Sequence, residues 1–171
     1  MALGIKDFLG FYNEYKKKVF NYILYRVSFD RDLAEDLTSE IFLKSYANFD
    51  RFDENRSFKT WIFTIAHNHL VNYYASKRPS VSLDDIQELE AGIDYVREID
   101  QKLTTARLLK LLKTLPLPQQ EVIMLRYVND LSYSEIAVIL EKDEGTVRTA
   151  LSRALDSLRD SARTILSSPL I

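Results

Sequence analysis

In the first half of the chain the apolar positions fall into three runs at helical spacing. Ile5, Phe8, Leu9, Tyr12, Val19, Ile23 and Val27 recur along one side, with Lys16–Lys18 on the polar side. That period predicts an amphipathic helix of several turns. Asp30 or Asp32 can cap a second helix. In it Ala34, Leu37, Ile41 and Phe42 form one face, and Glu35, Asp36 and Glu40 stay outside. A break follows over 48–56. Ser57 then caps a third helix with Phe58, Trp61, Ile62, Ile65, Ala66, Leu70 and Tyr73 on its apolar face. It ends near Lys77-Arg78-Pro79, because the residue before a proline disfavours helix.

The second half has shorter periods. Leu103, Ala106, Leu109 and Leu112 predict a helix stopped by Pro116 and Pro118. A short helix over 119–128 is closed by Asn129-Asp130. Ser132-Tyr-Ser-Glu135 is a capping box, in which hydroxyl and carboxylate satisfy each other's orphan backbone donors. Ile136, Ala137 and Leu140 follow, then a turn over 141–144 in which Asp143 can cap the last helix. Val147, Leu151, Ala154, Leu158, Ala162 and Ile165 line one side of that helix. Arg148, Thr149, Ser152 and Arg153 occupy another, near its start. A short helix, a four-residue turn and a helix with Arg, Thr and Ser on its first exposed turns read as a helix-turn-helix. A helix fits the DNA major groove, and its first turns reach base edges.

Charge changes this picture more than composition does. The 23 Lys+Arg and 25 Asp+Glu leave a net charge of −2, which excludes a protein basic all over. The balance is uneven. Residues 1–50 carry net −1, 51–78 net +3, 79–103 net −5 and 104–171 net +1. The −5 block reads as an acidic linker between two folded parts, the alternative being a solvated surface helix. Of the 20 aromatic rings, 17 precede residue 75, so the two halves have different core chemistry. With only 4 Gly and 4 Pro, the expected class is all-α. The organisation is two small helical modules, 1–78 and 104–171, joined by the acidic linker 79–103, the second module being the helix-turn-helix.

The +3 block combines cations, rings and amides: Arg56, Phe58, Lys59, Trp61, His67, Asn68, Asn72, Tyr73, Tyr74, Lys77 and Arg78. Cations that track phosphates beside rings that meet unstacked bases suit single-stranded nucleic acid. Phe58, Trp61 and Tyr73 equally suit a core, since they share the apolar face. His67 and His69 are two apart and do not share a helical face, so no metal is expected there. The absence of Cys removes thiolate metal sites and Cys nucleophiles. No Gly-rich phosphate loop and no paired His/acid constellation is present, so neither an enzyme, a cofactor nor a small-molecule substrate is expected. The start of the sequence has no signal-like segment, and no run approaches 18 apolar residues. A soluble, intracellular protein is the expectation.

At this point the residues resemble the sigma-70 family of bacterial RNA polymerase sigma factors. Asp32-Leu-Ala-Glu-Asp-Leu37 and Glu40-Ile-Phe-Leu-Lys-Ser-Tyr46 are similar to the helix with which these factors grip the polymerase. Phe58-Lys-Thr-Trp-Ile-Phe-Thr-Ile-Ala-His-Asn68, with Lys77-Arg78, resembles their minus-ten segment. Leu115-Pro116, Leu125-Arg-Tyr127, Leu131-Ser-Tyr-Ser-Glu-Ile-Ala137, Gly145-Thr-Val-Arg148 and Arg153-Ala154 resemble their minus-thirty-five helix-turn-helix. The order and the two-module layout are those of the extracytoplasmic-function (ECF) group.

The resemblance implies roles. Asp36, Leu37, Glu40 and Phe42 fall on the surface that docks on the largest polymerase subunit. Arg56, Ser57, Lys59, Trp61, His67, Asn68, Lys77 and Arg78 fall on the minus-ten side, where an unstacked base and the melted strand are held. Arg126, Arg148, Thr149, Ser152 and Arg153 fall on minus-thirty-five contacts. Implied partners are core RNA polymerase, promoter DNA and an anti-sigma factor that can hold the protein at the membrane of a bacterial cytoplasm. Ala150 stands where the family often has a second Arg, and Asn72 where it usually has an acid. The promoter preference of relatives therefore does not carry over. The competing reading is a stand-alone helix-turn-helix regulator, which needs a sensor or dimerisation module in residues 1–100.

Overall fold

A computed structural model describes residues 4–77 and 111–167, with side chains described as far as Thr164. Arg78, the segment 79–103, the apolar positions Leu103, Ala106 and Leu109, and the tail from Ser168 lie outside the described residues. So does the side chain of Ile165. Among the described residues every regular element is a helix. The chain divides into two compact units.

The first unit packs three helices against one another. They are α1 (Ile5–Arg26), α2 (Arg31–Ala47) and α3 (Phe58–Ser76). The caps sit where the local chemistry puts them. Asp30 Oδ1 accepts from the Leu33 N–H at 3.0 Å, and Ser57 Oγ accepts from the Thr60 N–H at 3.3 Å. Such side-chain acceptors satisfy donors that a helix start leaves open. The turn between α1 and α2 places Ser28 (φ 57°) and Phe29 (φ 68°) in the left-handed region. That conformation costs non-glycine residues roughly 1–2 kcal/mol each. The packing of α1 on α2 offsets it.

The centre of this bundle is Val19, Tyr22, Ile23, Ala34, Ile41, Ile62, Phe63, Ala66 and Leu70, all at 0% exposure. Tyr22 and Phe63 meet edge to face at 5.5 Å. Neither was on the apolar faces expected from periodicity. Conversely, Ile5 and Leu9, expected to face inward, are exposed. The α1 stripe is wider than its core contact, because α2 and α3 cover only part of it. Nearer the start of α3, Phe8, Phe11, Phe49, Phe52, Phe58 and Trp61 form one connected group of rings. Phe11 and Phe58 stack at 4.1 Å and Phe52 lies 5.0 Å from Trp61. A 3-10 turn, Phe49–Arg51, carries Phe49 into this group. Such pairs add about 0.5–1.5 kcal/mol each beyond area burial. At the other end the Tyr74 hydroxyl donates to the Arg26 carbonyl, tying α3 to α1.

The second unit contains α4 (Leu117–Ile123), α5 (Tyr133–Ile139) and α6 (Glu144–Ser167). The helix reaching Lys113 ends before Pro116, as the sequence leads one to expect; Pro118 itself lies in the first turn of α4, with Pro116 at the N-cap. Proline is tolerated there because those N–H groups have no intrahelical partner. The chain continues past α4 as a π-helical segment, Met124–Val128. Asn129 closes it, its amide and its backbone N–H both donating to the Met124 carbonyl. The capping box forms as expected. Ser132 N–H donates to Glu135 Oε2 at 2.7 Å, and Glu135 N–H donates to Ser132 Oγ at 3.2 Å. Asp143 caps α6 through the Thr146 N–H at 2.7 Å. Leu131, Ile136, Val147 and Ala154 are fully buried, and α6 packs along α4.

Candidate nucleic-acid interface

Helix α2 separates its faces cleanly. Asp36 and Glu40 are exposed, whereas Leu37 and Phe42 are 3% and 4% exposed. The expectation that Leu37 and Phe42 lie on a docking surface is therefore corrected. They are core residues: Tyr12 meets the Phe42 ring edge-on at 4.9 Å. Period 3.6 puts positions 37 and 41 inside, and 36 and 40 on the flank. The large apolar residues that α2 does present are Leu43, 70% exposed, and Tyr46, 48% exposed.

The loop before α3 is organised around one carboxylate. Asp53 Oδ1 accepts from both the backbone and the side-chain amide of Asn55, each at 3.0 Å. Its Oδ2 lies 3.4 Å from the Arg56 guanidinium. The Asn55 N–H groups, helped by Arg56, hold the carboxyl below its ordinary range, so it stays charged. Ser57 uses its hydroxyl on α3 and remains exposed. The +3 block thus begins on a rigid Asx turn.

Along α3 the proposed minus-ten residues do not share one face. At roughly 100° per residue, Trp61 and Asn68 fall on one outward strip, with Thr64 and Asn72. Lys59 lies nearly opposite on the helical wheel, in the first turn, and His67 on a flank. Trp61 is half-buried, packed on Phe52 and Phe58 yet open on its remaining side. It belongs to the ring group of the core and keeps part of its surface exposed. His69 leaves the outward strip altogether and pairs with Glu40 on α2 at 2.8 Å. Lys77 lies 4.6 Å from the Tyr73 ring centre. Its hydrogen bond to Tyr73 holds the ammonium charged beyond its usual range.

In the second unit α6 buries Val147, Leu151 and Ala154 and exposes Arg148, Thr149, Ser152 and Arg153. These four rise from the first two to three turns. One turn later the same strip carries Asp156 and Asp160, each beside an Arg three residues on.

Two arginines meet one ring, a contact that spacing did not reveal. Arg148 pairs with Glu144, and its Cζ lies 4.3 Å from the Tyr133 ring centre. Arg126 donates through Nη1 to the Leu131 carbonyl at 2.8 Å, with Cζ 5.1 Å from the same ring. Tyr133 was visible only as a member of the capping box; nothing in the local spacing indicates which way its ring turns.

Two family models match the chain: one described as Sigma-70 region 2 over residues 11–79, the other as Sigma-70, region 4 over residues 105–158. The ECF RNA polymerase sigma factor SigW of Bacillus subtilis is 33% identical over 161 residues, covering 87% of this chain and 85% of that protein. The ECF RNA polymerase sigma factor BldN of Streptomyces coelicolor is 34% identical over 160 residues, covering 91% of this chain and 60% of that one. The sigma factor RpoE of Bartonella quintana, solved with the anti-sigma factor NepR, matches with a TM-score of 0.73 at 23% identity, over 93% of this chain and 98% of that one. This last likeness concerns the fold.

Proposed function

Since the chain belongs to the sigma-70 family of RNA polymerase sigma factors, in its ECF group, we propose that its two units divide promoter recognition between them. The protein directs bacterial RNA polymerase to specific promoters at initiation. Residues 1–78 bind the polymerase and the minus-ten element, 79–103 link, and 104–171 read the minus-thirty-five element. The chain makes and breaks no bond itself, and needs no cofactor.

On the first unit, Asp36 and Glu40 form the acidic docking face for the polymerase. Arg56, Ser57, Lys59, Trp61, His67, Asn68, Lys77 and Arg78 form the minus-ten side. The Asx turn and the ring group give an unpaired base a preformed wall, offsetting the few kcal/mol that unstacking costs. On the second, Arg148, Thr149, Ser152 and Arg153 enter the major groove, and Arg126 braces beside them. The observation that carries this reading is the start of α6: four polar side chains on the exposed face of a helix that begins at a capped turn. A net charge of −2 fits a protein that works on DNA inside a larger assembly, since few cations are free to release counterions.

An anti-sigma factor is the proposed inhibitory partner, supported by the complex known for the Bartonella relative. No helix among the described residues is long and apolar enough to cross a membrane. Cytoplasmic placement, with membrane association only through that partner, follows from the function. The deciding experiment is transcription by core polymerase plus this protein on a library of promoter-like sequences. Selection of a two-part promoter supports the reading. Tight operator binding without polymerase, and no initiation with it, overturns it.

A further inference from the structure

We infer that Tyr133 is a positioning residue for promoter reading: its ring holds the guanidinium groups of Arg126 and Arg148 in the arrangement that meets DNA. This rests on the reading of α6 as the upstream recognition helix. Two arginines from different segments converge on the one ring. Arg148 comes from the second turn of α6, with Cζ 4.3 Å from the ring centre; Arg126 comes from the π-helical segment, at 5.1 Å. Both distances lie within the ~6 Å over which a cation is drawn to an aromatic face.

The backbone that carries the ring is held in place. Tyr133 opens α5 between Ser132 and Glu135, whose reciprocal hydrogen bonds hold that turn. Arg126 is fixed as well, by its 2.8 Å bond to the Leu131 carbonyl. The π-helical stretch, continued by a bond from the Leu131 N–H to the Leu125 carbonyl at 3.1 Å, brings that carbonyl within its reach.

The chemistry of the contact decides what the ring is for. A long Arg side chain has about 2 kcal/mol of rotamer entropy to lose when it meets a base. Holding it beforehand lowers that cost. A carboxylate can do so only by occupying N–H donors, as Glu144 does to Arg148. An aromatic ring attracts the cation and leaves the N–H donors for guanine O6 and N7 or for phosphate. Two cations brought close together also repel, and a shared ring reduces that repulsion.

The test uses the full chain with core polymerase and duplex promoters randomised across the upstream element, reading the preference at each base position. Tyr133→Phe keeps the ring and the wild-type profile. Tyr133→Leu weakens preference at the same positions that Arg148→Ala flattens, by about two- to fivefold, the value of one exposed ring–cation contact. At the base positions that Arg148→Ala flattens, the double variant matches Arg148→Ala alone. Tyr133→Gln carries the same expectation as Tyr133→Leu and serves if leucine disturbs folding, which thermal unfolding reports. A folded Tyr133→Leu or Tyr133→Gln protein with the wild-type profile overturns the positioning role. So does a Tyr133→Phe profile like that of Tyr133→Leu, which assigns the effect to the hydroxyl, and so does a double variant whose losses add. If Arg148→Ala alone changes nothing, the recognition-helix reading fails, and the role of Tyr133 fails with it.

Discussion

Glu40 on α2 and His69 on α3 face each other, with 2.8 Å between Oε2 and Nε2. The helix proposed to dock on the polymerase therefore touches the helix proposed to hold the melted strand through one solvated pair. Glu40 is 59% exposed at its side chain and His69 19%. Pairs this open contribute less than about 1 kcal/mol. Glu40→Gln is expected to leave the unfolding midpoint nearly unchanged and to lower affinity for core polymerase. Competition against the wild type for a limited amount of core measures it; equal competition removes Glu40 from the docking face.

Burial separates two ways of losing polymerase binding. Asp36 is exposed, so Asp36→Arg is expected to weaken core binding with the melting curve intact. Phe42 is 4% exposed, so Phe42→Ala is expected to cost about 3–5 kcal/mol of stability, by lost transfer energy and the cavity left behind. Its binding defect should then track the unfolded fraction. A Phe42→Ala protein that is stable but does not bind would restore Phe42 to the docking surface.

Asp143 gives the second unit a pH dependence of definite sign. Its Oδ2 accepts from the Thr146 hydroxyl at 2.5 Å and its Oδ1 from the Thr146 N–H at 2.7 Å. These bonds, the hydroxyl first, hold the carboxyl below its ordinary range. A group depressed in the folded state adds stability at pH values above its unfolded pKa, and loses it as pH falls through the folded one. Asp143→Asn retains a cap without the charge. The stability difference between wild type and Asp143→Asn is expected to be flat down to about pH 5 and to shrink below about pH 4. Denaturant unfolding across that range checks this. A difference independent of pH would assign the cap to shape alone.

Glu141 occupies the left-handed region, at φ 52°, in the turn between α5 and α6. Glycine adopts that conformation without steric cost, although it loses more entropy on folding. Glu141→Gly is expected to raise stability through the turn between α5 and α6 by up to about 1 kcal/mol. Urea unfolding reads it, and a loss of stability would mean that contacts of the Glu141 side chain outweigh the backbone term.

Much of this molecule is legible in the order of its residues, because the signals are local. A cap acts three residues along the chain: Asp30 on Leu33, Ser57 on Thr60, Ser132 with Glu135, Asp143 on Thr146. The helix spans, the capped turn before α6 and its exposed polar strip followed from such spacings and from a 3.6-residue period. What periodicity leaves open is how much of an apolar stripe a neighbour covers. Only packing decided that Tyr22 and Phe63 lie at the centre, that Ile5 and Leu9 face out, and that Leu37 and Phe42 belong to the core and not to a docking surface. Only packing, likewise, joined His69 to Glu40 and set Arg126 and Arg148 around Tyr133. Those contacts join residues as far apart as Tyr22 and Phe63, and their geometry depends on where each helix axis lies. The sequence by itself determined the helices and the polar groups they carry; the tertiary structure decided which of those groups meet, since a period specifies a face but not what comes to rest against it.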